Sequence, residues 1–303
     1  MNKINRRLVI GQPVEDFKFS WMNEEFKKYF KEVVVMWSHC YDTKEDDVIL
    51  GNCCLGSFQN LKCYRRFGIM LPGFSFHPFK HPEWVKTWDP ILEKYDAIFC
   101  DEAPVGFCLK RDSTYKNFHI VPICCNSNAY RKTRKRDQFK RIIQFASTNL
   151  EKGRHISEKA MRLMPYNWEL FPKETQGYGT IPESDMPGIY QNADGFLHPG
   201  IIGPSSPNIA FSDWTDAKYT VSLIEAGMSG CIIFWHDAMG VGNSMETVFE
   251  VSLNPEEIAK RIQEVVGSID LDKHSTRTSE EFREKYSIEN TVKRKMEIIE
   301  QYM

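Results

Sequence analysis

The sequence predicts an α/β chain of two domains, each wound around a parallel sheet. Three observations carry that. At 303 residues the chain exceeds the usual single domain of roughly 100–200 residues. Strand-length apolar runs alternate with helical spans along most of its length, the pattern of βαβ units. Eight of the nine cysteines precede residue 126, so composition changes partway along. A chain of this length buries about three-quarters of its unfolded surface and needs no disulfide or metal staple.

The elements follow in order. Residues 7–11 (RLVIG) form a strand ending in glycine, and residues 22–30 a charged amphipathic helix. Residues 32–37 (EVVVMW) are a nearly continuous β-branched run, as in a strand covered on both faces. Residues 47–51 repeat the strand-then-glycine form, residues 67–71 lead into Pro72-Gly73, and residues 95–100 and 119–122 are the next two strands. Residues 126–128 are turn-like. From Arg131 to Arg141, seven of eleven residues are basic; this run reads as a solvated face or linker, or as a phosphate-tracking or acidic-partner patch at the mouth of an interdomain cleft. A second α/β series opens at residues 141–147. Residues 155–163 are helical, 168–171 a strand, and 184–190 a short helix with Ser184 as its cap. Residues 195–199 end a strand. Residues 218–227 are helical, closing at Gly227 or Gly230, and 231–235 (CIIFW) are a strand. Residues 255–267 form an amphipathic helix opened by Asn254, with Glu256 and Glu257 in its first turn. Residues 279–303 form one or two charged helices.

Composition removes several classes of function. With 42% hydrophobic and 26% charged residues, the chain is neither disordered, collagen-like nor a coiled coil. A net charge of −2 provides no global basic field for nucleic acid or anionic lipid. The longest apolar stretches, residues 33–37 and 231–235, fall far short of the roughly 20 residues that span a bilayer. Basic residues 1–7 are not followed by a signal-peptide core, so a cytoplasmic location is expected. The nine cysteines are odd in number and contain no C-x-x-C pair. They suggest neither a disulfide framework nor a zinc site, but small buried hydrophobes in a reducing compartment. Aromatics at 13% suit packed interfaces or sugar-stacking surfaces.

The most informative stretch is residues 219–234, YTVSLIEAGMSGCIIF. A helix carrying one carboxylate is followed by small residues and a tight glycine turn into a hydrophobic strand. A helix N-terminus offers N–H groups and a positive dipole end to a diphosphate. Glu225 stands further in, placed to accept hydrogen bonds from vicinal ribose hydroxyls. Ala226, Gly227 and Ser229 let helix and strand pack closely. An ordinary αβ unit with a solvated glutamate has the same outline.

This stretch resembles the C-terminal-domain signature of retaining, family-4-like GT-B glycosyltransferases, and other elements appear in that family's order. Residues 145–153 (FASTNLEKG) resemble the strand and loop that open the second domain and hold the donor diphosphate. Residues 178–181 with 186–194, ending YQNAD, resemble the stretch before that domain's next strand. Residues 47–51, Gly73, and the strands at 95–98 and 120–122 also fall in order. The resemblance spans roughly residues 45–270. It implies two Rossmann-like domains with parallel sheets facing an interdomain cleft: an acceptor domain over 1–135, a nucleotide-sugar donor domain over 140–275, and a C-terminal helix, 276–303, packing back on the first. It implies metal-independent, retaining transfer of a hexose from a nucleotide-diphosphate sugar, UDP-glucose or another UDP-sugar, with no cofactor beyond that co-substrate. Lys152 would neutralise charge on the leaving diphosphate. Ser147, Thr148, Lys152, Arg154, His198, Lys218, Tyr219, Thr220 and Glu225 would line the donor site, and Gly11, Pro72, Gly73 and His77 the acceptor site. His77 is the nearest candidate for the histidine of the first domain's cleft loop.

The chain departs from the family at three places. Ser147 stands where the family has its phosphate-binding arginine, with Arg154 or Lys218 as candidate second cation. Ala217 stands at the first of the family's paired glutamates, with Asp216 one position off. The glycine-rich loop after the first strand is reduced to Gly11. These departures suit a catalytically degenerate nucleotide-sugar binder of the same fold, which stands as the alternative; an epimerase- or phosphorylase-like enzyme is a further one. A narrower resemblance, in Tyr219-Thr220, Glu225, Gly227, Gly230 and Phe234-Trp235 with Thr148 and Lys152-Gly153, is to phage α-glucosyltransferases that modify hydroxymethylated DNA bases. There the acceptor is DNA, the basic run would contact phosphates, and the base would be flipped out. The acceptor is otherwise a glycan, lipid or small molecule. Asp270-Leu271-Asp272 is a D-x-D expected in a surface loop. Asp213 and Asp216 flank Trp214 in a long segment, residues 203–214, that is either a lid or an insertion. His198 and His236 each follow a strand, where doubly wound sheets place ligands, and each reads equally as structural.

Overall fold

The computed structural model describes residues 3–12, 20–37, 42–52, 55–70, 90–100, 117–146, 153–171, 181–200, 219–237 and 242–303. They form two compact units. Unit 1 comprises Met1–Cys125 and Tyr286–Met303; unit 2 comprises Asn126–Lys285. The first crossing falls at 125/126 rather than at 135–140, so the whole basic run belongs to unit 2. The chain returns to unit 1 at Tyr286 rather than at 276.

Unit 1 holds β1 (Ile4–Gln12), α1 (Trp21–Phe26), β2 (Phe30–Trp37), β3 (Val48–Asn52), α2 (Leu55–Phe58), β4 (Arg65–Met70), β5 (Ala97–Cys100) and β6 (Phe118–Ile120). Its sheet is parallel, in the order β2-β1-β3-β4-β5-β6. The central strands β1 and β3 are buried on both faces at Leu8–Ile10 and along Val48–Asn52. The β-branched run of β2 departs from expectation. It is the sheet's edge, residues 33–36 are only partly buried, and Trp37 is 42% exposed.

Gly11, Gly51 and Gly68 lie in register across β1, β3 and β4. The short α2 rests on this stripe. A Cβ on Gly11 would fall 1.7 Å from the Phe58 ring, and one on Gly68 2.4 Å from Leu55. The expected acceptor-binding Gly11 is therefore filled against by a core phenylalanine, and its want of a side chain serves packing.

At the opposite end of β1 and β3, Asp47 accepts hydrogen bonds from Arg7 Nε at 2.9 Å and Nη2 at 2.6 Å, and from the Lys44 N–H at 2.7 Å. Burial alone would raise this carboxyl. The Arg7 and Lys44 hydrogen bonds outweigh it and hold Asp47 below the ordinary carboxylate value. A depressed folded-state pKa stabilises the fold above the unfolded value of about 3.9, and that stability is lost as pH falls through the folded value. Asp47→Asn is expected to cost about 1.5–3 kcal/mol. In urea titrations from pH 7 to pH 2.5, the gap between wild type and variant should stay constant above about pH 5 and close below pH 4.

Unit 2 holds β7 (Arg141–Phe145), α3 (Arg154–Met161), β8 (Asn167–Phe171), α4 (Met186–Gln191), β9 (Gly195–His198), α5 (Val221–Met228), β10 (Ile232–Trp235), β11 (Val248–Glu250), α6 (Pro255–Ser268) and α7 (Leu271–Tyr286, whose last residue falls in unit 1). Its parallel sheet runs β11-β10-β9-β7-β8. Asn254 caps α6 as expected, accepting from the N–H groups of Glu256 at 2.9 Å and Glu257 at 3.1 Å. Ser184 does not cap α4; the cap position is Asp185, and Pro187 lies in the first turn. α5 closes on Gly230, with Gly230 N–H donating to Gly227 O and Cys231 N–H to Ala226 O. That is a Schellman closure, and it takes a left-handed residue, here at φ +77°. Gly227 packs against Phe282 of α7 rather than against a strand.

α8 (Ile288–Ile299) and a 3-10 turn (Glu300–Tyr302) complete unit 1. Ile288, Val292, Met296 and Ile299 enter the core beneath β1, β3, β4 and β5 alongside Met22 and Phe26 of α1. Cys100, Cys124, Cys125 and Cys231 are buried thiols and Cys63 is half-buried. Burial pushes the Cys231 thiol up to about 11. Among the described residues no group of His, Cys, Asp and Glu is placed to hold a metal, and no helix is long and apolar enough to cross a membrane.

Candidate functional site

In unit 2 the chain order along the sheet reverses between β7 and β9. Ligands of doubly wound sheets bind outside the carboxyl ends of the strands at such a point. β7 ends at Phe145 and β9 at His198, and α3 and α5 follow these two strands in the chain.

Gly153 sits immediately before α3 with φ +65° and takes the cap position without a capping side chain. Its Cα faces the chain leaving β9: an added Cβ would lie 2.0 Å from Pro199 O. The α3 N-terminus is thereby held against the β9 exit. The first α3 residue, Arg154, donates from Nε to Glu158 Oε1 at 2.8 Å, so the candidate second cation already shares its charge with a neighbouring carboxylate. At α5, Thr220 Oγ1 accepts from the Leu223 N–H at 3.4 Å and caps the helix. His198 is buried at the β9 end, its ring stacked on Phe196. Its carbonyl accepts from the His236 N–H, and the His236 ring bonds through Nδ1 to Val251 O at 2.8 Å. Tyr219 turns toward a loop instead: its hydroxyl donates to Asn243 Oδ1 at 2.5 Å and accepts from the Ser244 N–H, and its ring meets Trp235 at 5.1 Å.

Glu225 lies in the second turn of α5, only 1% exposed. Tyr190 of α4 donates its hydroxyl to Glu225 Oε2 at 2.9 Å. The structure thus gathers Arg154, His198 and Thr220 at the carboxyl edge, with Glu225 deeper and Tyr219 turned aside. Ser147, Thr148, Lys152, Lys218, Pro72, Gly73 and His77 lie outside the described residues, as do Asp213, Trp214, Asp216 and Ala217.

The YQNAD stretch organises the other edge of the sheet. Asp194 precedes β9 and accepts from the backbone N–H groups of Lys140 at 2.9 Å and Arg141 at 3.0 Å, and from Arg134. Arg136 is 1% exposed and donates to Ala193 O, to Ser229 O at 2.9 Å and to Ser275 Oγ at 3.0 Å. Lys132 pairs with Asp272 at 2.7 Å, and Arg141 with Glu169 at 2.9 Å. Arg141 opens β7, Asp194 precedes β9 and Gly230 precedes β10, so this part of the basic run crosses the amino edge of the sheet, opposite the candidate site. The patch expected at a cleft mouth is a strap whose cations are mostly spent within unit 2. Asp270 and Asp272, expected in a surface loop, bind the first turn of α7 and the strap. Tyr190 is a contributor that residue-type reasoning overlooked, whereas Gly153 enters the sequence reading only within the family-like stretch ending Lys152-Gly153. The tyrosine hydroxyl opposite a glutamate has no sequence signal, whereas a glycine immediately before a helix was a legible cue.

Comparison with sequence families and with curated proteins finds no match. Solved structures do match over their full lengths. HepE of Anabaena, crystallised with UDP and glucose, gives a TM-score of 0.67 at 10% identity, covering 98% of this chain and 100% of that one. The N-terminal domain of Candida albicans trehalose-6-phosphate phosphatase gives 0.62 at 8% identity, over 99% and 98%. A putative UDP-N-acetylglucosamine 2-epimerase from Listeria monocytogenes gives 0.60 at 9% identity, over 99% and 97%. With two Rossmann-like units and these neighbours, the chain has the GT-B fold.

Proposed function

We propose that this protein is a metal-independent, retaining hexosyltransferase that takes its sugar from a UDP-sugar and works in the cytoplasm. The observation that carries this reading is the β7/β9 reversal point, where α3 is fixed against the β9 exit and a threonine caps α5. Two helices entering from one strand edge offer N–H groups and dipole ends to a diphosphate. Full-length likeness to HepE, a protein crystallised with UDP and glucose, favours uridine as the base. Lys152 neutralises charge on the leaving diphosphate, Glu225 shares its carboxylate between Tyr190 and the ribose, and His77 is the second catalytic residue. The strap's internal pairing favours a glycan, lipid or small-molecule acceptor over a hydroxymethylated DNA base. The likeness to a putative epimerase supports a second reading, in which the bound UDP-sugar is isomerised rather than transferred.

Thermal-shift titration with UDP, GDP, ADP and CMP tests the donor site. UDP at 100 times its dissociation constant adds about 2.7 kcal/mol, a rise of several degrees, since 1 kcal/mol moves the midpoint by about 2–4 °C. The rise should vanish in Lys152→Ala and shrink in Glu225→Gln. Incubation with UDP-sugars and an acceptor panel, scored for transfer and for epimerised sugar, separates the two catalytic readings. A UDP-specific rise with neither product points to the degenerate binder, and no rise with any nucleotide removes the donor site.

A further inference from the structure

We propose that Tyr190 is a positioning residue that acts through Glu225 and makes the donor site select ribose over 2′-deoxyribose; this deepens the UDP-sugar reading above and rests on it. Tyr190 is the buried residue of α4, fully enclosed at 0% exposure. An enclosed tyrosine needs a partner for its hydroxyl, and this one donates to Glu225 Oε2 at 2.9 Å. Three rings hold the phenol: Phe145 at 5.1 Å, Tyr130 at 5.7 Å and Phe196 at 6.3 Å. Phe145 closes β7 and Phe196 lies in β9, so the two strands of the reversal point also set the direction of the hydroxyl. The backbone is pinned as well, since Tyr190 O accepts from Cys231 Sγ at 3.3 Å.

As packing, Glu225 is out of place. Its neighbours on α5, Leu223, Ile224, Ala226 and Met228, are apolar and 0% exposed. Two apolar side chains of the same shape would join α4 to α5 without enclosing a charge, and such a replacement is often neutral or stabilising. The carboxylate therefore has a use that packing does not supply. It offers about four acceptor positions over its two oxygens. A hydrogen bond to an ionised acceptor is about twice as strong as one between neutral groups, so the phenol on Oε2 fixes the rotation of the carboxylate and the direction of Oε1. A carboxylate fixed in this way can accept from both hydroxyls of a vicinal diol at once. Without the 2′-hydroxyl a buried acceptor position goes unfilled, which is how a site built to bond a hydroxyl rejects the analogue that lacks it. Without the phenol the carboxylate turns, and the second hydroxyl no longer meets an acceptor in line.

Calorimetric titration of the full chain with UDP and with 2′-deoxy-UDP tests this. Wild type should prefer UDP by at least about tenfold, the worth of one hydrogen bond to a charged group. Tyr190→Phe removes one oxygen and keeps the ring; it should bind both nucleotides, with the preference cut to less than about threefold. Glu225→Gln should lose the preference as well. Adding Tyr190→Phe to it should change the ratio no further, the non-additivity of two residues that act as one. Tyr130→Leu keeps the hydroxyl and removes a ring that aligns it, so its preference should fall between wild type and Tyr190→Phe; it carries the test if Tyr190→Phe fails to fold. Val265→Ala, in a core cluster that contains neither residue, should melt lower and keep the full preference; a preference lost there too would trace to stability and overturn the role. No UDP binding by wild type removes the donor site and this role with it. UDP binding without a preference in wild type, or an undiminished preference in Tyr190→Phe or in Tyr130→Leu standing in for it, overturns the role of Tyr190 and leaves the donor site standing.

Discussion

Replacing Arg136 with alanine is expected to lower the unfolding free energy by about 3–5 kcal/mol, the range for removing one partner of a buried charged network. The guanidinium reaches the end of α4 through Ala193 O, the end of α5 through Ser229 O and the second turn of α7 through Ser275 Oγ. Its backbone N–H donates to Asp272 at 2.9 Å. Removing the side chain takes the guanidinium donor from the buried Ser229 carbonyl, at the desolvation penalty of an unmade hydrogen bond, while Ala193 O keeps Arg134 Nη2 at 3.2 Å. Arg136→Lys should recover little, because one ammonium cannot reproduce a planar fork that spans three elements. Arg136→Met restores volume and not the donors, so it should sit near alanine. Lys135→Ala is the control. Its pairing with Asp137 is solvent-exposed on both sides, and exposed pairs contribute little. Urea unfolding followed by circular dichroism reads all four. A midpoint for Arg136→Ala matching that of Lys135→Ala would show the strap to be dispensable.

The same residue shows where sequence reasoning stops. Seven cations in eleven positions read as a surface because sequence carries no record of what faces each side chain. Arg136 lies among them and is buried, and the residues that bury it, Ala193, Ser229 and Ser275, are remote in sequence. The strands of the second unit were legible to within a residue or two, since runs such as 231–235 are apolar on both faces and can be nothing but central. The β-branched run at 33–37 was misjudged for a related reason: periodicity reports what a strand could bury, while its place at the sheet edge is set by topology. The short β11 and α2 carry too few residues to show a period. At the candidate site, the glycine before α3 was readable from local chemistry, whereas Thr220, expected inside a helix over 218–227, instead caps one that begins at Val221. The Tyr190–Glu225 hydrogen bond was not readable, because it joins two helices 35 positions apart.

Gly153→Ala is expected to abolish nucleotide binding more completely than it harms folding. Two costs add at this position. At φ +65° an L-residue with a Cβ is strained by roughly 1–2 kcal/mol. The Cβ would also stand 2.0 Å from the Pro199 carbonyl oxygen and 3.0 Å from its carbon, and these are backbone atoms that no rotamer change can move aside. α3 must therefore shift away from the β9 exit. On the proposed donor site, a diphosphate spanning α3 and α5 would require both N-termini in place, and displacement by about 1 Å in a pre-organised site can remove two orders of magnitude in function. Gly242 separates strain from collision: it has φ +76° with no atom of the described residues within 4 Å of an added Cβ. Gly242→Ala should therefore lose only the roughly 1–2 kcal/mol of conformational strain and bind UDP as wild type does. UDP titration calorimetry on both variants, beside their melting curves, decides the matter. Unchanged UDP affinity in Gly153→Ala would place the diphosphate away from α3 and shift the site toward α5 alone, whereas a loss in Gly153→Ala with none in Gly242→Ala ties binding to the contact between Gly153 and Pro199.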